Sequence, residues 1–344
     1  MIRRYFKRVT FALLLVILVY VCFNFKLVEY GFQQLSGQLH IIRNARPVEE
    51  IIQEKRISER SLSKLLLIQQ IRKFAVDSLG LTETKNFTTF YDQHNKPVLW
   101  VLTACPPFEM KAYEWSFPFL GKVSYKGFFK KEIGLKEEQL LLNHFYDTDL
   151  SPTGGWSTLG WFKDPILSNM LKRSEGQLAE LIIHELTHAT VYLPGSVEYN
   201  ENLATFIGEE GAIRFLKTTY GDTSEMLKSY LYYKADEEVF GNYMLQSCGV
   251  IDSLYSSFQD ESFQLKLQRK HQLIINIILG IKDLPLHQPE RYKFHWPIEQ
   301  LPNNTWFLSY KRYRSRQVDM EKKLKTDFHG ELNEFIGYIK KQDH

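Results

Sequence analysis

The sequence predicts a mixed α+β fold, predominantly helical with a small sheet, behind an N-terminal transmembrane anchor helix. Three observations carry this. A basic segment, MIRRYFKR, precedes the apolar run VTFALLLVILVYVCFNF, Val9 to Phe25. Apolar residues recur at helical spacing in most of the later segments. Short β-branched and aromatic stretches are confined to the region between Lys96 and Phe129.

A basic segment before an apolar run is the layout of a signal peptide or a signal anchor. No small residues prepare a cleavage point in VYVCFNFKL. Tyr20 and Val21 precede Cys22, where a lipidated cysteine wants small neighbours. The expectation is an uncleaved anchor. Residues 1–8 form a cytoplasmic basic tail, 9–25 the transmembrane anchor, and 26–344 an exported domain.

The anchor is followed by a helical stretch through VEEIIQ. In RSLSKLLLIQQIRKFAVDSLGL, Leu67, Ile71, Phe74, Ala75 and Leu79 fall on one helical face, and Gly80 suits its end. KPVLWVLTA reads as a strand, and SFPFLGKVSYKGFF as a turn, a short strand and a loop. GLKEEQLLLNHFYD returns to helix. TGGWSTLGWFKDP is Gly-punctuated and extended. Beyond Gly221 one long helical pattern runs from about Asp222 to Leu279, before a Pro-rich connector and a last helical region.

Composition sets outer limits. Charged residues are 24% and hydrophobic ones 44%, a globular balance. A net charge of +3 gives no support to nucleic-acid binding. The three cysteines, Cys22, Cys105 and Cys248, lack zinc-finger spacing. An exported chain would permit Cys105 and Cys248 to pair.

The chemistry concentrates in LIIHELTHATVYLPG. His184, Glu185 and His188 spell H-E-x-x-H. Residues four apart lie on one helix face, so His184 and His188 can hold one Zn2+ ion from one side. Glu185 lies about 100° around the helix, where its carboxylate can serve as general base to a water that zinc has acidified. Ser174 and Gln177 have capping-box spacing, and Leu178, Leu181, Ile182 and Ala189 give an apolar stripe. Pro194 and Gly195 end the helix.

A catalytic zinc takes three protein ligands and keeps one position open. The next segment, VEYNENLATFIGEEGAIRFLK, offers Glu198, Glu201, Glu209 and Glu210. Glu201 is the expected ligand, because Ala204, Thr205, Gly208 and Ala212 share its face and permit close helix packing. Glu209 is a candidate acceptor for a ligand histidine. An oxyanion donor is sought among Tyr310, Tyr313, Tyr125 and His144, with Tyr310 the first choice. His271, His287 and His295 lack ligand spacing.

Several ordered stretches resemble a bacterial family of zinc-dependent aminopeptidases, anchored envelope proteins. They are GQLHIIRNARPVEEII, FPFLGKVSYKGFF, GWSTLGWFKDPIL, LAELIIHELTHATVYLPG, YNENLATFIGEEGAIRFL and LPNNTWFLSYKRY. The resemblance implies a zincin-like metallopeptidase domain with His184, His188 and Glu201 on zinc and Glu185 catalytic. It implies a peptide or protein substrate, with Ser157–Trp161 as an edge that adds the substrate as a strand. It also implies the bacterial inner membrane, with the catalytic domain on the periplasmic or extracytoplasmic side. Two departures stand out. Cys22 lacks a lipobox, and Thr205 occupies a position where glutamate zincins carry an acid. An endopeptidase and a non-catalytic zinc scaffold are the alternative readings.

Overall fold

The computed structural model describes residues 23–54, 57–117, 121–153, 163–193, 196–294, 296, 301–311 and 317–342, with isolated positions at 5–6, 9–11 and 15. The chain divides into two compact units, 1–45 and 46–344. In the first, helix α1 spans Phe25–Asn44.

The anchor expectation is corrected here. Most of Val9–Phe25 lies outside the described residues. Among the described ones, no helix is long and apolar enough to cross a membrane. Helix α1 carries Lys26, Glu29, Arg43 and several glutamines, which is too polar. A fold with an N-terminal transmembrane helix is therefore not supported. Nor is the inner-membrane location inferred from it.

The second unit starts with β1 (Arg46–Pro47), α2 (Val48–Glu54) and α3 (Glu59–Asp77). Ser58 caps α3 by accepting from Ser61 N. Gly80 ends it at φ +75°, while Gly80 N and Leu81 N bond back to Val76 O and Ala75 O. These bonds satisfy the last carbonyls of the helix, and the left-handed residue favours glycine. Next come β2 (Thr89–Tyr91), β3 (Trp100–Cys105), β4 (Trp115–Phe117), β5 (Gly121–Val123) and β6 (Lys126–Phe128). Helix α4 (Lys131–Leu142), β7 (Asp147–Pro152) and β8 (Ile166–Leu167) follow.

The strands form three small sheets, ordered β1-β2-β8, β6-β3-β7 and β4-β5. Only β2 and β8 run parallel. Strand β3 pairs antiparallel with β7 from Trp100 opposite Pro152 to Cys105 opposite Asp147.

Helices dominate among the described residues. Helix α5 (Glu175–His188) is followed by α6 (Val197–Tyr220), α7 (Glu225–Ser256), α8 (Phe263–Gly280), α9 (Asn304–Lys311), α10 (Gln317–Asp327) and α11 (Leu332–Gln342). The long helical pattern after Gly221 is thus two helices, broken at Ser257–Ser262. Phe258 folds back there onto Tyr255 and Phe108.

Helix α5 is the centre of the unit, packed on α3, α6 and α7. Leu178, Ala179, Ile182 and Ile183 are fully buried. A second core lies among α7, α8 and α9. It includes Phe240, Met244, Ile251, Ile274 and Phe307, with Cys105 and Cys248. Cys105 and Cys248 are not joined, so the permitted disulfide does not form. Burial pushes the Cys105 thiol up to about 12.

The N-terminus of α5 is fixed twice. Ser174 and Gln177 form the capping box that the sequence suggested. Buried Lys64 of α3 donates to Glu175 Oε1 at 2.7 Å. Burial works to raise the Glu175 carboxyl, but the bond from Lys64 and its charge hold it below its ordinary range. A depressed acid stabilises the fold fully above its unfolded pKa, about 4.3, and loses that contribution as pH falls through its folded value. Lys64→Met should cost about 0.5–1 kcal/mol near neutral pH, allowing for solvent at Glu175. Denaturant melts at several pH values should show the gap to the parent chain closing below about pH 4.3.

Candidate metal centre

The site begins with a backbone approach. A Cβ at Gly208 of α6 would stand 2.9 Å from Glu180 O and 3.2 Å from His184 Cβ of α5. Only a residue without a side chain lets the helices come this close. Asn200 secures the entry to α6. It accepts from Leu193 N at 2.9 Å and donates to Leu193 O at 2.8 Å. The connection is thereby folded back, and Glu201, the next residue, meets the histidines.

His184 Nε2 and His188 Nε2 stand 3.2 Å apart. Glu201 Oε2 is 3.6 Å from His184 Nε2, and Glu201 Oε1 is 3.5 Å from His188 Nε2. One ligand atom from each of the three residues falls within 4.8 Å of the others. Tetrahedral zinc with ligands at about 2.0–2.1 Å has ligand-to-ligand edges of about 3.3–3.4 Å. The imidazole separation of 3.2 Å lies near that value, and each imidazole faces a different oxygen of the Glu201 carboxylate at a similar distance. Two imidazole nitrogens at 3.2 Å would need one to donate to the other. A cation between them lets both act as acceptors. The donor set therefore fits a metal ion.

Electrostatics point the same way. Burial opposes charge on the Glu201 carboxylate, but hydrogen bonds and charge from the two imidazoles hold it well below the carboxylate range. Burial also opposes charge on His184, and Glu201, Glu185 and Glu180 together still raise it. An anionic carboxylate and two imidazoles converge in a site that favours a cation.

Glu185 projects from the same turn, and among the described residues its Oε2 is buried without a hydrogen-bond partner. His188 Nδ1 is likewise buried and unpartnered. Each such atom normally costs about 1–3 kcal/mol, and these two lie on the turn that carries the histidine pair.

Other expected residues stand elsewhere. Tyr310 of α9 packs edge-on against Phe240 and Trp306, at 5.5 and 5.9 Å between ring centres. Burial pushes its hydroxyl up to about 12. Among the described residues, no hydrogen bond or ring contact joins it to the triad. Tyr125 is exposed, and His144 Nδ1 pairs with Leu140 O. His287 stacks on Tyr232. Glu209 bonds Lys234, not a ligand histidine. Glu210 pairs with Arg214. Ser157–Trp161, Tyr313, His295 and the Glu198 side chain lie outside the described residues.

With this geometry in place, comparison with known proteins adds one finding. The model of a family described as "Putative aminopeptidase" matches residues 29–343. The chain belongs to that family. The match runs from α1 into the last described helix and includes every residue of the triad. Membership supports a peptidase-like function. Neither the curated proteins nor the solved structures compared give a match.

Sequence reading missed the surroundings of the triad in this family member. Glu180, Tyr230 and Lys234 are engaged with one another around α5. Nothing in the spacing of α7 pairs Tyr230 and Lys234 with an acid 50 residues upstream. The Gly208 contact is testable. Gly208→Ala should cost about 1–3 kcal/mol in overpacking, offset by about 1 kcal/mol of helix preference. Equilibrium unfolding should show net destabilisation, and isothermal titration should show weaker metal binding.

Proposed function

We propose that the chain is a zinc-dependent peptide hydrolase that removes residues from peptide N-termini. One observation supports it most: His184, His188 and Glu201 each bring a ligand atom within 4.8 Å of the others beside Glu185, whose Oε2 is buried without a hydrogen-bond partner among the described residues. Family membership supports a peptidase-like function, and the family's description favours the exopeptidase direction.

In this reading His184, His188 and Glu201 hold zinc, which when bound acidifies a water and polarises a carbonyl. Glu185 takes the proton from the attacking water and returns it to the leaving amine. Its partnerless oxygen leaves a lone pair open for that water. The Gly208 contact and the Asn200 tether keep Glu201 against the imidazoles. A non-catalytic scaffold would have no use for a buried base at Glu185. Tyr310 is given no step, since its ring is engaged on Phe240 and Trp306.

The test uses the purified chain with zinc and a mixed peptide library, read by mass spectrometry. Single residues lost from N-termini are expected. Glu185→Gln should keep its zinc and lose about 10²–10⁴ in kcat. Glu201→Gln should lose zinc in metal analysis. Internal cuts would move the assignment to endopeptidase. Equal turnover by Glu185→Gln would defeat the mechanism.

A further inference from the structure

Lys234 reaches from α7 into the seam between α5 and α6. Its Nζ donates to Glu209 Oε1 at 2.7 Å and to Glu237 Oε2 at 2.8 Å. Glu180 Oε1 is 3.5 Å away. Only 18% of the Lys234 side chain is exposed, and the three acids are 22–32% exposed. Two hydroxyls complete the group. Tyr230 donates to Glu180 Oε2 at 2.9 Å, and Tyr233 donates to Glu237 Oε1.

The placement of the acids is what matters. Glu180 lies one turn before His184 on the same face of α5. Glu209 directly follows Gly208, the residue against which Glu180 O and His184 Cβ pack. One ammonium therefore bonds the two helices that carry the triad, at the turn where their backbones are closest. Tyr230 also lies over Gly176 of α5, where a Cβ would meet its ring at 2.5 Å. The grip of α7 thus runs along the whole N-terminal half of α5.

We propose that Lys234 is a positioning residue of the metal centre. It pins α5 to α6 through Glu180 and Glu209 and so fixes the spacing between the imidazoles and the Glu201 carboxylate. This rests on the zinc reading above. Without the ammonium, three carboxylates would face one another with no counter-charge. They would separate or take up protons, and either response shifts α5 against α6. A guanidinium could replace the ammonium, since it too can donate to several carboxylates. Burial opposes the charge on Lys234, yet the three acids raise its pKa and keep it cationic.

The experiment measures zinc affinity of the whole chain by competition with a chromogenic chelator. Lys234→Met should bind zinc tenfold or more weakly, about the usual loss for an outer partner of a metal site. Lys234→Arg should stay within about threefold of the parent by the same scale. A merely structural role would lower the melting temperature and leave the zinc affinity of the folded protein unchanged. That result overturns the proposal. If Lys234→Met does not fold, Glu209→Gln decides. It cuts only the α6 link, and unchanged zinc affinity there also overturns the proposal. His188→Ala tests the reading beneath. Zinc held equally well by His188→Ala would place the metal away from the triad, and the proposed function would fall with this inference.

Discussion

The contact of α5 with α6 at Gly208 is the constraint on which the rest of the structure depends. A histidine pair on one helix presents only two ligand atoms. The third must come from a neighbour whose backbone lies within about one side-chain length. At the crossing, a Cβ on residue 208 would already be 2.9 Å from a carbonyl oxygen. The distances from Glu201 to the imidazoles follow from that approach and from the Asn200 tether. Gly208 costs about 1 kcal/mol of helix propensity against Ala, and here the cost is offset by a contact that no other residue permits.

The charged groups packed around α5 are paired, as half-buried charges must be. Lys64 meets Glu175 at one end, and Lys234 meets three acids further along. The second core solves a similar problem with another lysine. Lys270, 2% exposed, bonds Asp147 and Pro107 O, and Asp147 also accepts from Asn304 N. Asn304 in turn accepts from Tyr255 and donates to Pro106 O. This network joins α8 and α9 to the end of β7, the strand beside β3. Asn304 belongs to the PNN stretch noted in the sequence, so that motif serves the fold of the second core.

What was legible in the sequence was local. The capping box at Ser174, the Gly80 terminus, the β3 strand and the histidine face of α5 each depend on residues within a few positions of one another. Glu201 was legible one step further, because small residues at helical spacing on its face announce a close neighbour. Strand β7 was not. DTDLSP has little β propensity, and it forms because β3 offers it a full ladder. The break between α7 and α8 was also hidden, since FQDES contains neither proline nor glycine. There the turn is held by Phe258 packing on Phe108 and Tyr255, which are distant in sequence or a turn away. The apolar run before Lys26 misled for a different reason. Its flanking charge resembles an anchor's, yet among the described residues no helix is long and apolar enough to span.

Lys234 shows why the surroundings of the triad resist sequence reading while the histidine pair does not. Ligands are fixed by chemistry that repeats, so two imidazoles four apart carry the same meaning on any helix. Their supports are fixed by whichever element happens to lie alongside. In this fold that element is α7, and its lysine reaches across 54 residues to Glu180 and 25 to Glu209. An acid, a carbonyl or a water could have filled the same place in another arrangement. The physical requirement is only that the two ligand helices be held at one spacing, and the sequence does not state which residue meets it. The residue becomes visible once the seam is seen to contain three carboxylates and a single buried cation among the described residues.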